Sequence, residues 1–244
     1  MSHQNSTISV NTIEPQSGTT LTIGQSGQNV VINADSIKNN VMKDAGGNAL
    51  FTSNGSGVLS GLNAGFGSAQ ALISTQTPSG VASVNFTSGI DSTYKEYVFY
   101  CINMNPASNS FFQFQCSTDG GSTYNTTITS TFFKAYMQES GSSPGLGYVG
   151  SDDQAQGTAY QNLMEDVSNV ADSGFILELH LFNPSSTTYV KNFYARGGGF
   201  TSGPTQNDTF PAGYFNTTSA IYAISFKFSS GNIDAGKIKM YGIK

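Results

Sequence analysis

The sequence predicts an all-β protein: an extended, short-strand N-terminal segment followed by a C-terminal antiparallel β-sandwich. Three observations predict it. Aromatic residues make up 12% of the 244 residues, with 17 Phe and 12 Tyr. With the β-branched residues they dominate the apolar set, and such side chains fit a pleated, half-buried surface. Only 10% of residues are charged, against about 25% in an average domain. From residue 81 onward, runs of apolar alternation are separated by clusters of Gly, Asn, Asp and Pro, with no long helical period.

The elements follow in chain order. Residues 1–60 hold one aromatic, Phe51, in a background of Ser, Thr, Asn and Gly. Alternation persists there at Ile8 and Val10, Leu21 and Ile23, and Val30 and Ile32. Leu21 and Val30, like Ile23 and Ile32, are nine residues apart, and Gly24 and Gly27 punctuate the interval. Strand pairs this short do not bury enough to be stable alone. The segment is therefore expected to order by packing against copies of itself, as stacked strands do in shafts; the alternative is a flexible tail. Residues 61–80 are small and Gly-rich and read as a connector ending near Pro78-Ser79-Gly80, with a helical turn or two over Ser68 to Ser74.

Residues 81–244 form the predicted head. Candidate strands are 81–87, 94–104, 111–118, 131–137, 174–183, 188–196, 213–217, 220–228 and 237–243. Turns are expected at Asn105-Pro106, Asp119-Gly120-Gly121, Asn183-Pro184 and Gly197-Gly198-Gly199. Eight or nine strands over this length fit a jelly roll. Tyr97, Phe99 and Cys101 share one face, as do Phe112, Phe114 and Cys116. The short Pro106–Ser110 loop predicts that these two strands form a hairpin lining one core wall. Phe175, Leu177, Leu179 and Leu181 point inward, with Ile176, Glu178, His180 and Phe182 opposite. Ile224, Phe226 and Phe228 alternate with Ser225 and Lys227. Residues 158–171 fit a short helix or a strand.

Charge narrows the partners. The net charge is −5 and the ten basic residues are scattered, which argues against nucleic-acid binding, because a duplex needs clustered Lys and Arg. No run approaches the ~20 apolar residues of a membrane helix, so no membrane insertion is expected. The start lacks a basic, then apolar, secretory pattern. Synthesis in a reducing cytosol is the expectation, with Cys101 and Cys116 as free, buried thiols. The sequons at Asn85, Asn125 and Asn216 then carry no weight.

No catalytic residue, metal ligand or cofactor site is predicted. The histidines are His3, near a terminus, and His180, on a strand beside Glu178 and Phe182, where a structural or surface role is expected. Asp152-Asp153 and Glu165-Asp166 are adjacent acidic pairs, and adjacent strand residues point to opposite faces, which does not make a glycosidase pair. Asp119-Gly120-Gly121-Ser122 reads as a strand-ending turn. The longest non-strand stretch, Gln138–Gly157, carries the candidate binding residues. Tyr148, Asp152, Asp153 and Tyr160 offer an aromatic platform with acidic groups, the combination that suits a sugar's apolar face and hydroxyl rim. The alternative is a solvated loop or a subunit contact.

Three motifs carry a family resemblance. SSGNIDAGKIKMYGIK (229–244) is similar to the C-terminal strand of small all-β domains on bacteriophage fibres and tail proteins. STDGGSTYNTT (117–127) resembles a strand-to-turn element of the same domains. TIEPQSGTTLTIGQSGQNVVI (12–32) resembles N-terminal segments of tail-fibre-like proteins of marine phages. The resemblance implies a homotrimeric virion protein assembled in the host cytoplasm. Residues 1–60 would attach to other virion proteins, and a jelly-roll head would contact the host surface, including its glycans. A short tail fibre or tail-tip protein is the leading expectation. A capsid decoration or head-fibre protein, and a carbohydrate-binding or carbohydrate-degrading module, are the alternatives.

Overall fold

The computed structural model describes residues 41–44, 46–53, 55–56, 59–60 and 69–244. The predicted strands around Ile8, Leu21 and Val30 lie outside them. The chain divides at Asn63/Ala64 into two units. In the first, β1 (Val41–Lys43), β2 (Ala49–Ser53) and β3 (Leu59–Ser60) form a three-stranded antiparallel sheet. None of its described side chains is buried. Leu50 and Phe51 are half-covered, and Val41, Met42 and Leu59 are exposed.

The second unit contains β4 (Gln70–Gln76), β5 (Val84–Phe86), β6 (Glu96–Pro106), β7 (Ser110–Ser117), β8 (Ile128–Gln138), β9 (Gly145–Tyr148) and β10 (Ala155–Gly157). It continues with β11 (Gln161–Val167), β12 (Phe175–Phe182), β13 (Lys191–Phe200), β14 (Thr205–Phe215), β15 (Ala223–Phe228) and β16 (Ile233–Ile243). One sheet runs β10-β8-β14-β13-β12-β6-β16-β4, with β9 also on β8; the other runs β11-β7-β15-β5. Eight of these strands, β4 to β7, β11, β12, β15 and β16, nest as antiparallel pairs. The first pairs with the last, β5 with β15, β6 with β12, and β7 with β11. This nesting is the jelly-roll pattern. The remaining strands β8–β10, β13 and β14 extend one sheet well past the other.

The sandwich forms because each strand alternates. Tyr97, Phe99 and Cys101 of the large sheet and Phe112, Phe114 and Cys116 of the small sheet are all buried. Rings meet across the gap: Phe112 and Phe175 at 4.9 Å, Phe99 and Phe226 at 5.4 Å, and Phe114 and Phe193 at 5.0 Å between centroids. The inward set of β12 is the predicted one.

Several expectations are corrected. β6 and β7 are not a hairpin. They lie in different sheets, and the loop between them is a corner that turns their apolar faces toward each other. Two apolar faces cover one another better across a sandwich than side by side in one wall. Cys101 and Cys116 accordingly sit on opposite sheets, both free and buried, with burial pushing each thiol up. Neither is expected to react with a thiol reagent until the chain unfolds; modification of the native protein at the unfolded-state rate would contradict the burial.

Of the stretch 68–74, read as a helical turn, the described part from Gln70 on is strand. β4 occupies the stretch read as a connector and pairs with β16. Residues 161–167, read as helix or strand, form β11. The stretch Gln138–Gly157 holds two short strands, β9 and β10. Gly197-Gly198-Gly199 is not a turn but the end of β13. A Cβ at Gly199 would lie 2.3 Å from Phe175 Cβ and 2.9 Å from its Cα. Glycine there is a packing requirement of the β12–β13 pair. Gly199→Ala should cost about 1–3 kcal/mol by overpacking, measured by urea unfolding; an unchanged midpoint would show that β12 gives way freely.

Candidate functional site

The small sheet covers one side of the large sheet and leaves the other side open. Outward-facing residues there follow from the period of two. Register places Arg196 of β13, Phe210 of β14, Phe133 of β8 and Tyr148 of β9 in one row across the strands. Phe133 and Phe210 stack at 4.8 Å and 9°, and the Arg196 guanidinium lies 5.2 Å from the Phe210 centroid. A second row carries His180 stacked on Tyr194 at 4.5 Å. Tyr100 and Tyr241 meet edge to face at 5.6 Å. Phe133, Tyr148, Ile176, Tyr194, Leu72 and Leu146 are all more than one-third exposed.

A trough of about 660 Å³ crosses this face, within the size range of small-molecule sites. Gly198 forms its floor. Tyr100, Ile102 and Ile176 stand on one side, and Arg196, Gln206 and Asp208 on the other, with Glu178 between Tyr100 and Arg196. Arg196 forks onto Asp208, Nε to Oδ1 at 3.1 Å and Nη2 to Oδ2 at 2.7 Å. That ion pair is exposed and contributes little to stability, but it fixes the orientation of both groups.

The four residues singled out in the sequence do not form one platform. Tyr148 lies on the open face, and its hydroxyl donates to Asp153. Asp152 points inward and is 6% exposed. Its Oδ1 accepts from Asn162 Nδ2 at 3.0 Å, while Oδ2 has no hydrogen-bond donor. Burial and the neighbouring Glu165 carboxyl push the Asp152 carboxyl up to about 6. Glu165 is ion-paired with Lys134, and both line a smaller cleft of about 370 Å³ with Phe111, Tyr136 and Asn207. Tyr160 serves the other sheet. It donates to Ser225 Oγ at 3.1 Å, and Lys227 Nζ sits 4.3 Å over its ring.

His180 is half-buried, with Nδ1 2.6 Å from Glu96 Oε1. Asp119 accepts from Ser117 Oγ, from the Ser122 and Thr123 amides and from Thr123 Oγ1. Those donors hold its carboxyl well below the usual range, and Gly120 and Gly121 take positive φ, as a strand-ending turn requires. Among the described residues, no group of three or more His, Cys, Asp or Glu could hold a metal ion.

Sequence reading missed Ile102, Ile176, Arg196, Gly198, Gln206 and Asp208. The signal was the alternation Asn192, Tyr194, Arg196, Gly198, Phe200, hidden because three consecutive glycines read as a turn. For a similar reason the sequence predicts only 213–217 where β14 runs Thr205–Phe215. Asn207, Asp208, Pro211 and Gly213 are poor strand formers, and the β13–β14 ladder passes directly from Tyr194–Ala212 to Gly197–Thr209 around Pro211.

The fold and face define the chain as a jelly-roll protein with one open, aromatic-rich sheet surface. Comparison with family models, curated proteins and solved structures gives no match.

Proposed function

We propose that this chain is a structural virion protein of a bacteriophage, a short tail fibre or tail-tip protein that works as a homotrimer and contacts the host cell surface. The observation that carries this reading is the contrast between the two units. The head has a full core, whereas among its described residues the β1–β3 sheet has no buried side chain. A three-stranded sheet without a core needs a partner to be stable, and copies of the same chain or other virion proteins bound through residues 1–60 would provide one. The three resembling motifs support a virion context. The open face of the large sheet supports contact with a surface outside the particle, because exposed apolar patches of this kind mark interaction sites. Trimerisation would multiply weak single contacts.

Light scattering on the full-length chain is expected to give three times the 25.7 kDa chain mass. Recombinant protein should compete with phage adsorption to host cells. A monomer that neither binds cells nor competes would overturn the proposal. A trimer that antibody labelling places on capsids would instead make it a head-fibre or decoration protein.

A further inference from the structure

We infer that the trough over Gly198 is a saccharide site that takes a neutral pyranoside. The inference narrows the proposed surface contact to one ligand class, and it rests on that reading only for its biological setting.

The chemistry of the walls carries it. A pyranose has an apolar face of C–H groups and a rim of hydroxyls, each of which donates and accepts. Ile102, Ile176 and Tyr100 provide the apolar wall, with Ile176 60% exposed and Ile102 37% exposed. The opposite wall is polar and pre-oriented. The Arg196–Asp208 fork uses Nε and Nη2 on one side and both carboxylate oxygens on the other. Arg196 keeps further N–H donors and Asp208 further lone pairs. Gln206 donates through Nε2 to the Asn207 carbonyl at 3.0 Å, which holds its amide and leaves Oε1 as an acceptor. Glu178 has no ion pair or hydrogen bond among the described residues. The trough is therefore mainly apolar surface, bordered on one side by a few fixed donors and acceptors.

Charge selects against other small ligands. Arg196 is neutralised by Asp208, and Glu178 leaves the site slightly negative, so an acidic sugar or phosphate is disfavoured. A wholly apolar ligand would desolvate Glu178 and Gln206 without replacing their hydrogen bonds. Hydroxyls that hydrogen-bond to those groups remove that penalty. The row from Arg196 through Phe210 and Phe133 to Tyr148 continues the surface beyond the trough; Phe210 is held between Phe133 and Arg196, so further units of a longer glycan would meet ring edges there and the exposed Tyr148 beyond.

Gly198 makes the test specific. It has no positive φ, and a Cβ there would meet Gln206 Nε2 at 3.4 Å and the Asn207 carbonyl oxygen at 3.8 Å, both ordinary contacts. Gly198→Val is thus compatible with the strand and fills the floor. The full-length protein would be screened on an array of neutral glycans. Hits would be followed by saturation-transfer NMR with soluble disaccharides such as lactose, maltose and cellobiose. Binding of a neutral glycan is expected, weakened at least tenfold in Gly198→Val and in Glu178→Gln, with thermal unfolding of both variants close to wild type. Glycan binding that survives Gly198→Val would overturn the assignment of the trough. The absence of any array signal would overturn the ligand class, and competition with phage adsorption would then still stand as a test of the proposed function. An oligomer that Gly198→Val dissociates would show that a second copy of the chain fills the trough, which also overturns the inference.

Discussion

Phe226→Ala is expected to be the most damaging single substitution in the head. Phe226 is fully buried on β15, and its ring meets Phe99 at 5.4 Å, Phe112 at 5.8 Å, Phe86 at 6.2 Å and Phe114 at 6.4 Å. It joins the large sheet, through Phe99, to three rings of the small one. Truncation removes the transfer energy of the ring and leaves a cavity that four other rings must line. Large-to-small changes of this type cost about 3–5 kcal/mol, a large fraction of the stability of an ordinary domain. Phe226→Leu, which keeps most of the volume, should recover much of the loss. Guanidinium unfolding followed by tyrosine fluorescence measures both. A loss under 1 kcal/mol for the alanine variant would mean that the two sheets close over the gap.

Asp152→Asn should stabilise the protein, and only at neutral and alkaline pH. Burial and the Glu165 carboxyl raise the folded-state pKa of Asp152 to about 6, whereas in the unfolded chain it is about 3.9. The folded state therefore holds this proton more tightly. The stabilisation it brings is complete below about pH 4 and is lost as pH rises through about 6. Two pK units correspond to about 3 kcal/mol. Asparagine imitates the protonated acid: its oxygen can still accept from Asn162, and its amide N–H can donate toward the Glu165 carboxylate. The variant should exceed the wild type by on the order of 1–3 kcal/mol at pH 8 and match it near pH 4. Urea unfolding at the two pH values reads the difference, in which other carboxylates cancel. An offset that does not change with pH would show that the Asp152–Glu165 proton is not the cause.

Both predictions depend on where particular residues ended up, and the sequence revealed them unequally. Phe226 was legible as a core residue, because its alternation with Ser225 and Lys227 already put it on the apolar face of a strand. That it would bridge two sheets was not legible, since periodicity gives a face but not the element that covers it. Asp152 was legible only as one of two adjacent acids in a polar stretch. Its neighbour Asp153 turned toward the Tyr148 hydroxyl, while Asp152 turned inward toward Asn162 and Glu165. Residues ten and thirteen positions later in the chain decided which of the two would be buried. The open face had the same character. Tyr148 was picked from composition, but its companions Phe133, Phe210 and Arg196 lie on three other strands.

By itself, the sequence determined the all-β class, the inward set of β12, the apolar faces of β6, β7 and β15, the turn at Asp119 and the burial of both cysteines. These depend on local alternation, turn chemistry and side-chain character, and each acts within a few residues. Only the tertiary structure decided that β6 and β7 part at a corner, that the three glycines continue β13, that β4 closes the large sheet against β16, and that a trough opens over Gly198. Each of these is a pairing between strands far apart in the chain. Pairing is decided by which apolar faces can cover each other and how closely two backbones can approach, and neither quantity exists until the sheets have met.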